Sequence, residues 1–408
     1  MNKDEFYRNA RTDLTGPLAG VRVLEVTTTW AGPMSGVILA DMGADVIKVE
    51  IPSGDVGRSI SPMLPGTKVG FAHATVNRNK RALALDIRKP EGRDLCLDLA
   101  RRSDIMLENF KVGTMANYGL GYADVCSVKP DIVYVSITGW GQFGPRHLDA
   151  GYDPLAQAAS GFLSINGHPD APATKAPTFL ADDLGGLHAA LGAMAALRYR
   201  DQTGEGQHVD VALLDAMLFQ SNGLPTLGAL GVSPSRMGNE FGFAVPANVY
   251  ECSDGAVYLG VLLDAHWRIL ANLLGQPDLA DNEAFATALA RSANRDMCNM
   301  LVSEWLVGQT QAQAVKILSS SGLPIAPVQT YVESATDPHV LERDMLQPTR
   351  FADGTSAPIT GPAAKFSRTP TRVRTAAADL GQHTDEILAE LGLDADARKR
   401  LVDAGITA

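Results

Sequence analysis

The sequence predicts an α/β fold built on an open parallel sheet, and three features of its first half carry that expectation. Short β-branched runs alternate with helix-like stretches, glycines punctuate the turns, and the runs are apolar on both alternating faces, as covered strands are. Val21 to Val26 reads as the first strand, Gly32-Pro33 opens a helix through Met42, Gly43 stops it, and Ala44 to Glu50 is the second strand. Strand, helix and strand in that order form a crossover unit, so the two strands run parallel. Arg81 to Ile87 follows as a strand, Pro90 to Arg102 as a helix, and Ile105 to Leu107 and Ile132 to Thr138 as further strands.

From Asp183 to Arg200 the pattern becomes one long helix. Leu184, Leu187, Leu191, Met194 and Leu197 recur at steps of three and four, and Arg198, Arg200 and Gly204 suit its end. A strand at Gln207 to Ala212 and a helix at Leu213 to Gln220 come next. The Gly-, Pro- and Ser-rich stretch from Asn222 to Gly242 reads as a linker. Beyond it, a strand pair (Ala247 to Cys252, Ala256 to Leu263) turns through Ser253-Asp254-Gly255, and helices dominate to Ser320. Pro348 to Pro370 reads as an extended tail that leads to a helix entered at Thr384, with Asp385 and Glu386 in its first turn.

Composition narrows the function. With 408 residues, 45% hydrophobic and 20% charged, the chain reads as a soluble globular protein of two domains. A net charge of −11, from 35 basic and 46 acidic residues, argues against a nucleic-acid partner. Cys96, Cys126, Cys252 and Cys298 stand far apart without a CxxC pair, which argues against zinc and against a disulfide framework. The apolar runs are too short to cross a bilayer and the first residues are polar, so no membrane association is expected and the cytosol is the expected location.

Catalytic motifs are scarce. Glu50 ends the second strand where a ribose-binding acid would sit, but the preceding turn has only Gly32 and Gly36 and is filled by Trp30, so a dinucleotide fingerprint is not formed. A P-loop, a nucleophile elbow and a zinc-protease helix are all missing. His188, on the long helix, reads as a packed residue. What remains is Asp182-Asp183 at the entrance to that helix. Such acids cap helices, and a carboxylate can equally be a covalent nucleophile; spacing leaves both open.

An ordered series of motifs then resembles the class III CoA-transferases, the family of formyl-CoA:oxalate and carnitine CoA-transferases that also holds the α-methylacyl-CoA racemases. It runs from Ala31-Gly32-Pro33, Asn79-Lys80-Arg81 and Glu108-Asn109-Phe110 to Gly151-Tyr152-Asp153, Thr203-Gly204, Arg236-Met237-Gly238-Asn239 and Gly322-Leu323-Pro324. The resemblance implies a Rossmann-like large domain from residues 1–222 and 336–408, a linker at 223–244, a smaller α+β domain at 245–335, and an interlocked homodimer. It implies that Asp182 is the catalytic carboxylate, which exchanges CoA between an acyl-CoA and a carboxylic acid through anhydride and aspartyl-CoA intermediates. CoA is thus a substrate, and no permanently bound cofactor or metal is expected. Trp30, Ala31, Lys80, Asn109 and Phe110 match the residues around the coenzyme. Amides at the helix start are expected to keep Asp182 ionised. Two alternatives share the scaffold. A racemase would carry a His where Tyr152 stands, and a non-catalytic acyl-CoA binding protein would turn Asp182 away from the cleft.

Overall fold

Six strands form the sheet: β1 (Arg22–Val26), β2 (Asp45–Glu50), β3 (Lys80–Ala84), β4 (Ile105–Glu108), β5 (Val133–Thr138) and β6 (Gln207–Ala212). Their order is β3-β2-β1-β4-β5-β6, and every pair is parallel. The computed structural model describes all 408 residues, Met1–Ala408. They divide into one unit of Met1–Phe162, Ala176–Ala229 and Pro338–Ala408, and a second of Leu163–Lys175 and Leu230–Asp337.

The α/β class is thus as expected, and so is its physical basis. Both faces of the sheet are buried. Val23, Val46, Ile105, Val133 and Val135 point into one apolar cluster, and Leu24, Met106 and Tyr134, one residue out of phase, into the other. β3 is an edge strand, but its free side is covered by the chain's last residues. The Ala82 amide donates to His383 Nδ1 at 3.1 Å, the His383 amide to the Ala82 carbonyl at 3.0 Å, and the Ala84 amide to Thr384 Oγ1 at 3.1 Å. Leu85 then bridges Thr407 in antiparallel sense.

Three helices position the site: α1 (Ala31–Asp41), α2 (Asp153–Ala159) and α3 (Leu180–Thr203). The apolar row on α3 is only partly packed: Leu197 is buried and Leu184 and Met194 pack against the core, but small residues make up most of the buried face. The buried residues are small (Ala181, Gly185, Gly186, Ala189, Ala190, Ala193, Ala196) with Leu197, while Leu187 and Leu191 are 48% and 56% exposed. Close approach is the reason. A Cβ on Gly186 would stand 2.7 Å from Met34 Cβ and 2.9 Å from the Ala31 carbonyl, so α3 reaches α1 only where side chains are absent.

In the second unit β7 (Ala247–Glu251) and β8 (Ala256–Gly260) pair as predicted, β9 (Ile325–Pro327) extends them, and helices cover the sheet. The fully buried Arg291 donates to the Val245 carbonyl at 2.6 Å, the Phe285 carbonyl at 2.9 Å and Asp264 at 2.9 Å. The linker stretch carries a short helix, Leu224–Ala229, and the extended tail contains a hairpin, Leu346–Arg350 with Ser356–Thr360. The signal for that hairpin is Asp353-Gly354 at its turn. No helix is long and apolar enough to cross a membrane.

Candidate active site

In a doubly wound sheet the strand order reverses once, and the loops leaving the carboxyl ends of the two strands beside that point diverge to open a crevice. Here those strands are β1 and β4. Thr28, Thr29, Trp30 and Ala31 leave β1, Asn109 to Val112 leave β4, and Gly139 and Trp140 leave β5, which ends in Ile137 and Thr138. Together with His147, Asp149 to Tyr152, Asp182 and Leu213 they line a cleft of about 360 Å³. Of the residues carried over by resemblance, Asp182, Trp30, Ala31, Asn109 and Phe110 therefore share one cleft.

Lys80 does not line it. Its ammonium is buried, 2.6 Å from Glu25 Oε2, and donates to the Pro33 carbonyl at 2.8 Å and to Asn77 Oδ1 at 3.3 Å. Burial and the nearby Lys48 charge lower its pKa to about 8, with Glu25 opposing them. Lys80 thus supports the start of α1 from beneath, with its charge paired to Glu25. Gly36 makes room for this pair, since a Cβ there would overlap Glu25. Arg58, close by, is likewise committed, to Glu50 at 2.6 Å and 2.7 Å and to the Ala378 carbonyl at 3.2 Å. The cation that does face the cleft is Lys111, next to the Asn109-Phe110 pair.

Asp182 lies in the first turn of α3, but the cap of that turn is Asp153 from α2. Asp153 Oδ1 accepts the Ala181 amide at 2.7 Å and the Asp182 amide at 3.4 Å, while its Oδ2 takes Gln157 Nε2 at 2.8 Å. Asp183 is also occupied, accepting the Trp30 indole N–H at 2.7 Å. Asp182 is left with its carboxylate on the cleft wall and no hydrogen bond within the chain to hold it. The expectation that helix amides keep it ionised is therefore corrected, because Asp153 has taken them. Burial first, then the Asp153 and Asp183 charges, push its pKa up to about 7. Asp183 is raised by burial and by Asp153, against the bond from Trp30.

The remaining wall is built on Asn109 and Trp30. Asn109 grips the loop after β1 on both sides, its Oδ1 accepting the Thr28 amide at 2.8 Å and its Nδ2 donating to the Thr28 carbonyl at 2.9 Å. Trp30 packs edge-on against Phe179, ring centroids 5.0 Å apart. Tyr152 opens α2 and lines the same cleft, 58% exposed. Sequence reasoning missed Lys111, Trp140, His147 and the capping role of Asp153. Lys111 follows a quoted motif directly and was legible; the capping role spans 28 residues of sequence and was not.

This arrangement is a surface-open pocket with aromatic rings in its wall and one carboxyl group of high proton affinity that makes no hydrogen bond within the chain. The chain belongs to CoA-transferase family III, whose family model matches residues 18–384. It is 37% identical to the succinate–glutarate CoA-transferase of Agrobacterium fabrum, over 92% of this chain and 96% of that one. The succinyl-CoA:mesaconate CoA-transferase of Haloarcula marismortui is 36% identical over 93% of this chain and 97% of its own. The human succinyl-CoA:glutarate CoA-transferase is 32% identical over 96% and 90%. Among solved structures, a CaiB/BaiF family protein from Brucella suis superposes with a TM-score of 0.83 at 35% identity, covering 92% of this chain and 100% of that one.

Proposed function

We propose that this CoA-transferase moves CoA from succinyl-CoA to a second small dicarboxylic acid, with Asp182 as the nucleophile. The carrying observation is that Asp182, alone among the three neighbouring acids, has neither cap nor indole to bind and faces the cleft. Its carboxylate attacks the thioester carbonyl, the C–S bond breaks, and CoA leaves as thiolate, giving a mixed anhydride between succinate and Asp182. The thiolate attacks the aspartyl carbonyl, releasing succinate and leaving aspartyl-CoA. The acceptor carboxylate then attacks that thioester, expelling CoA thiolate and forming a second anhydride, and the thiolate attacks the acceptor's own carbonyl, releasing the Asp182 carboxylate. Each step exchanges one activated carboxyl for another, which keeps the sequence reversible.

Relatives named for succinyl-CoA with glutarate, mesaconate and citramalate support the dicarboxylate reading. Lys111 and His147, on the cleft wall, can meet the second carboxylate. Trp30, Ala31, Asn109 and Phe110 are the proposed coenzyme contacts, with Lys80 as their support. The exposed Leu187, Leu191 and Phe219 favour a homodimer, and four free cysteines suit a reducing cytosol. The test is to incubate the enzyme with succinyl-CoA, trap with hydroxylamine, and map the modified peptide by mass spectrometry. Modification at Asp182, and its loss together with turnover in Asp182→Ala, is expected; turnover in that variant would refute the assignment.

A further inference from the structure

The loop that brings Trp30 and Ala31 into the cleft is bent against its own preference. Thr29 has φ 69°, a left-handed conformation that crowds a β-branched side chain. Strained backbone of this kind persists only where the surroundings impose it. The group that imposes it here is Asp55. Its Oδ1 accepts Thr28 Oγ1 at 2.8 Å and the Thr29 amide at 3.1 Å, and its Oδ2 lies 3.2 Å from the same amide. The Gly57 amide, 2.8 Å away, fixes the carboxylate's orientation.

Behind Asp55 stands Lys48, whose Nζ is 3.1 Å from Asp55 Oδ2 and 3.0 Å from the Thr27 carbonyl. Both side chains are 2% exposed. Glu25 completes the lattice, 3.4 Å from Lys48 and accepting Thr27 Oγ1 at 2.7 Å. Thr27, Thr28 and Thr29 are thus all held from below by one set of buried ions. A buried ion pair stabilises a fold no better than well-packed apolar residues of the same volume. Packing alone gives no reason for it at this place. The direction of the loop does, because with Thr29 left-handed the chain turns Trp30 onto Phe179 and aims its indole at Asp183, next to Asp182. Asp55 itself does not line the cleft.

The geometry points to Asp55 as a positioning residue for CoA transfer, one that holds Thr29 left-handed so that Trp30 and Ala31 stay in register with the nucleophile. The inference rests on the assignment of Asp182 above. Asp55→Asn preserves volume and removes the charge facing Lys48. It is expected to lower kcat for succinyl-CoA about a hundredfold, as a misplacement of roughly 1 Å does, with KM moving by less than about threefold.

The deciding variant is Asp55→Asn combined with Thr29→Gly. Glycine adopts the left-handed conformation without a clamp, so the second substitution is expected to restore kcat at least about tenfold over Asp55→Asn alone. A merely structural Asp55 would show no such rescue, because Lys48 would still lack one of its two carboxylate partners. Asp55→Asn with near-normal kcat, or a loss that Thr29→Gly leaves unrelieved, overturns the proposal. If Asp55→Asn does not fold, Lys48→Met with and without Thr29→Gly carries the same expectation. Asp182→Ala is assayed beside them: turnover there refutes the nucleophile, whereas the rescue reads the role of Asp55 separately.

Discussion

Asp182→Asn is expected to abolish transfer and, at the same time, to stabilise the protein in mildly alkaline solution. Burial and the two neighbouring acids raise Asp182 from 3.8 to about 7 in the folded chain. At about 1.4 kcal/mol for each tenfold change in proton affinity, this is a preference for the neutral acid on the order of 4 kcal/mol. The unfolded chain ionises Asp182 near its ordinary value. Between roughly pH 4 and pH 7 the folded state therefore holds a proton that the unfolded state has lost, and stability falls as pH rises through that window. An amide cannot ionise, so the variant escapes the penalty. Urea unfolding should show the two proteins nearly equal at about pH 4 and the variant more stable at about pH 8, by up to 4 kcal/mol. A difference that is the same at both pH values, or a less stable variant at the higher one, would refute the reasoning. Wild-type transfer should correspondingly rise with pH through about 7, as the proposed nucleophile ionises.

Gly186→Ala puts a methyl group 2.7 Å from Met34 Cβ and 2.9 Å from the Ala31 carbonyl. It is expected to cost about 1–3 kcal/mol and to lower kcat by displacing Ala31; thermal unfolding and steady-state kinetics check both, and a variant equal to wild type in both would show that the helices slide freely. The proposed homodimer should survive dilution to nanomolar concentration in sedimentation velocity, while Leu191→Glu weakens it. A stable folded monomer of the wild type would count against it.

The strands were legible because both-face burial writes itself into sequence as short runs rich in β-branched residues, and β1, β2 and β5 carry such runs even though Glu25, Lys48 and Ser136 interrupt them. The long helix was legible in extent, and in orientation only in part. Leucines at steps of three and four mark an apolar helix, yet which side packs is decided by how closely the partner approaches, and here α1 admits only alanine and glycine. At the site, Asp182 stood out only through the order of motifs around it. Its partner-free state depends on Asp153 and Trp30 occupying what it would otherwise bind, and those contacts join residues far apart in the chain. Lys80 shows how little a motif says of a side chain's surroundings. A basic residue in a matching motif suggested a phosphate contact, whereas Glu25, two strands away in the sheet order, had already claimed its charge.

The cover over β3 has a consequence for how the chain is made. Strands β1 to β6 are complete by Ala212, but the hydrogen bonds that close the β3 edge come from His383, Thr384 and Thr407. On the ribosome, roughly 200 residues must still be added in between, a wait of about 10–40 s at 5–20 residues per second. During that interval an unpaired strand of the growing sheet is open to any passing strand. A nascent chain of this protein is therefore most prone to aggregate late in synthesis, and the last two dozen residues act as the fastener that ends the risk.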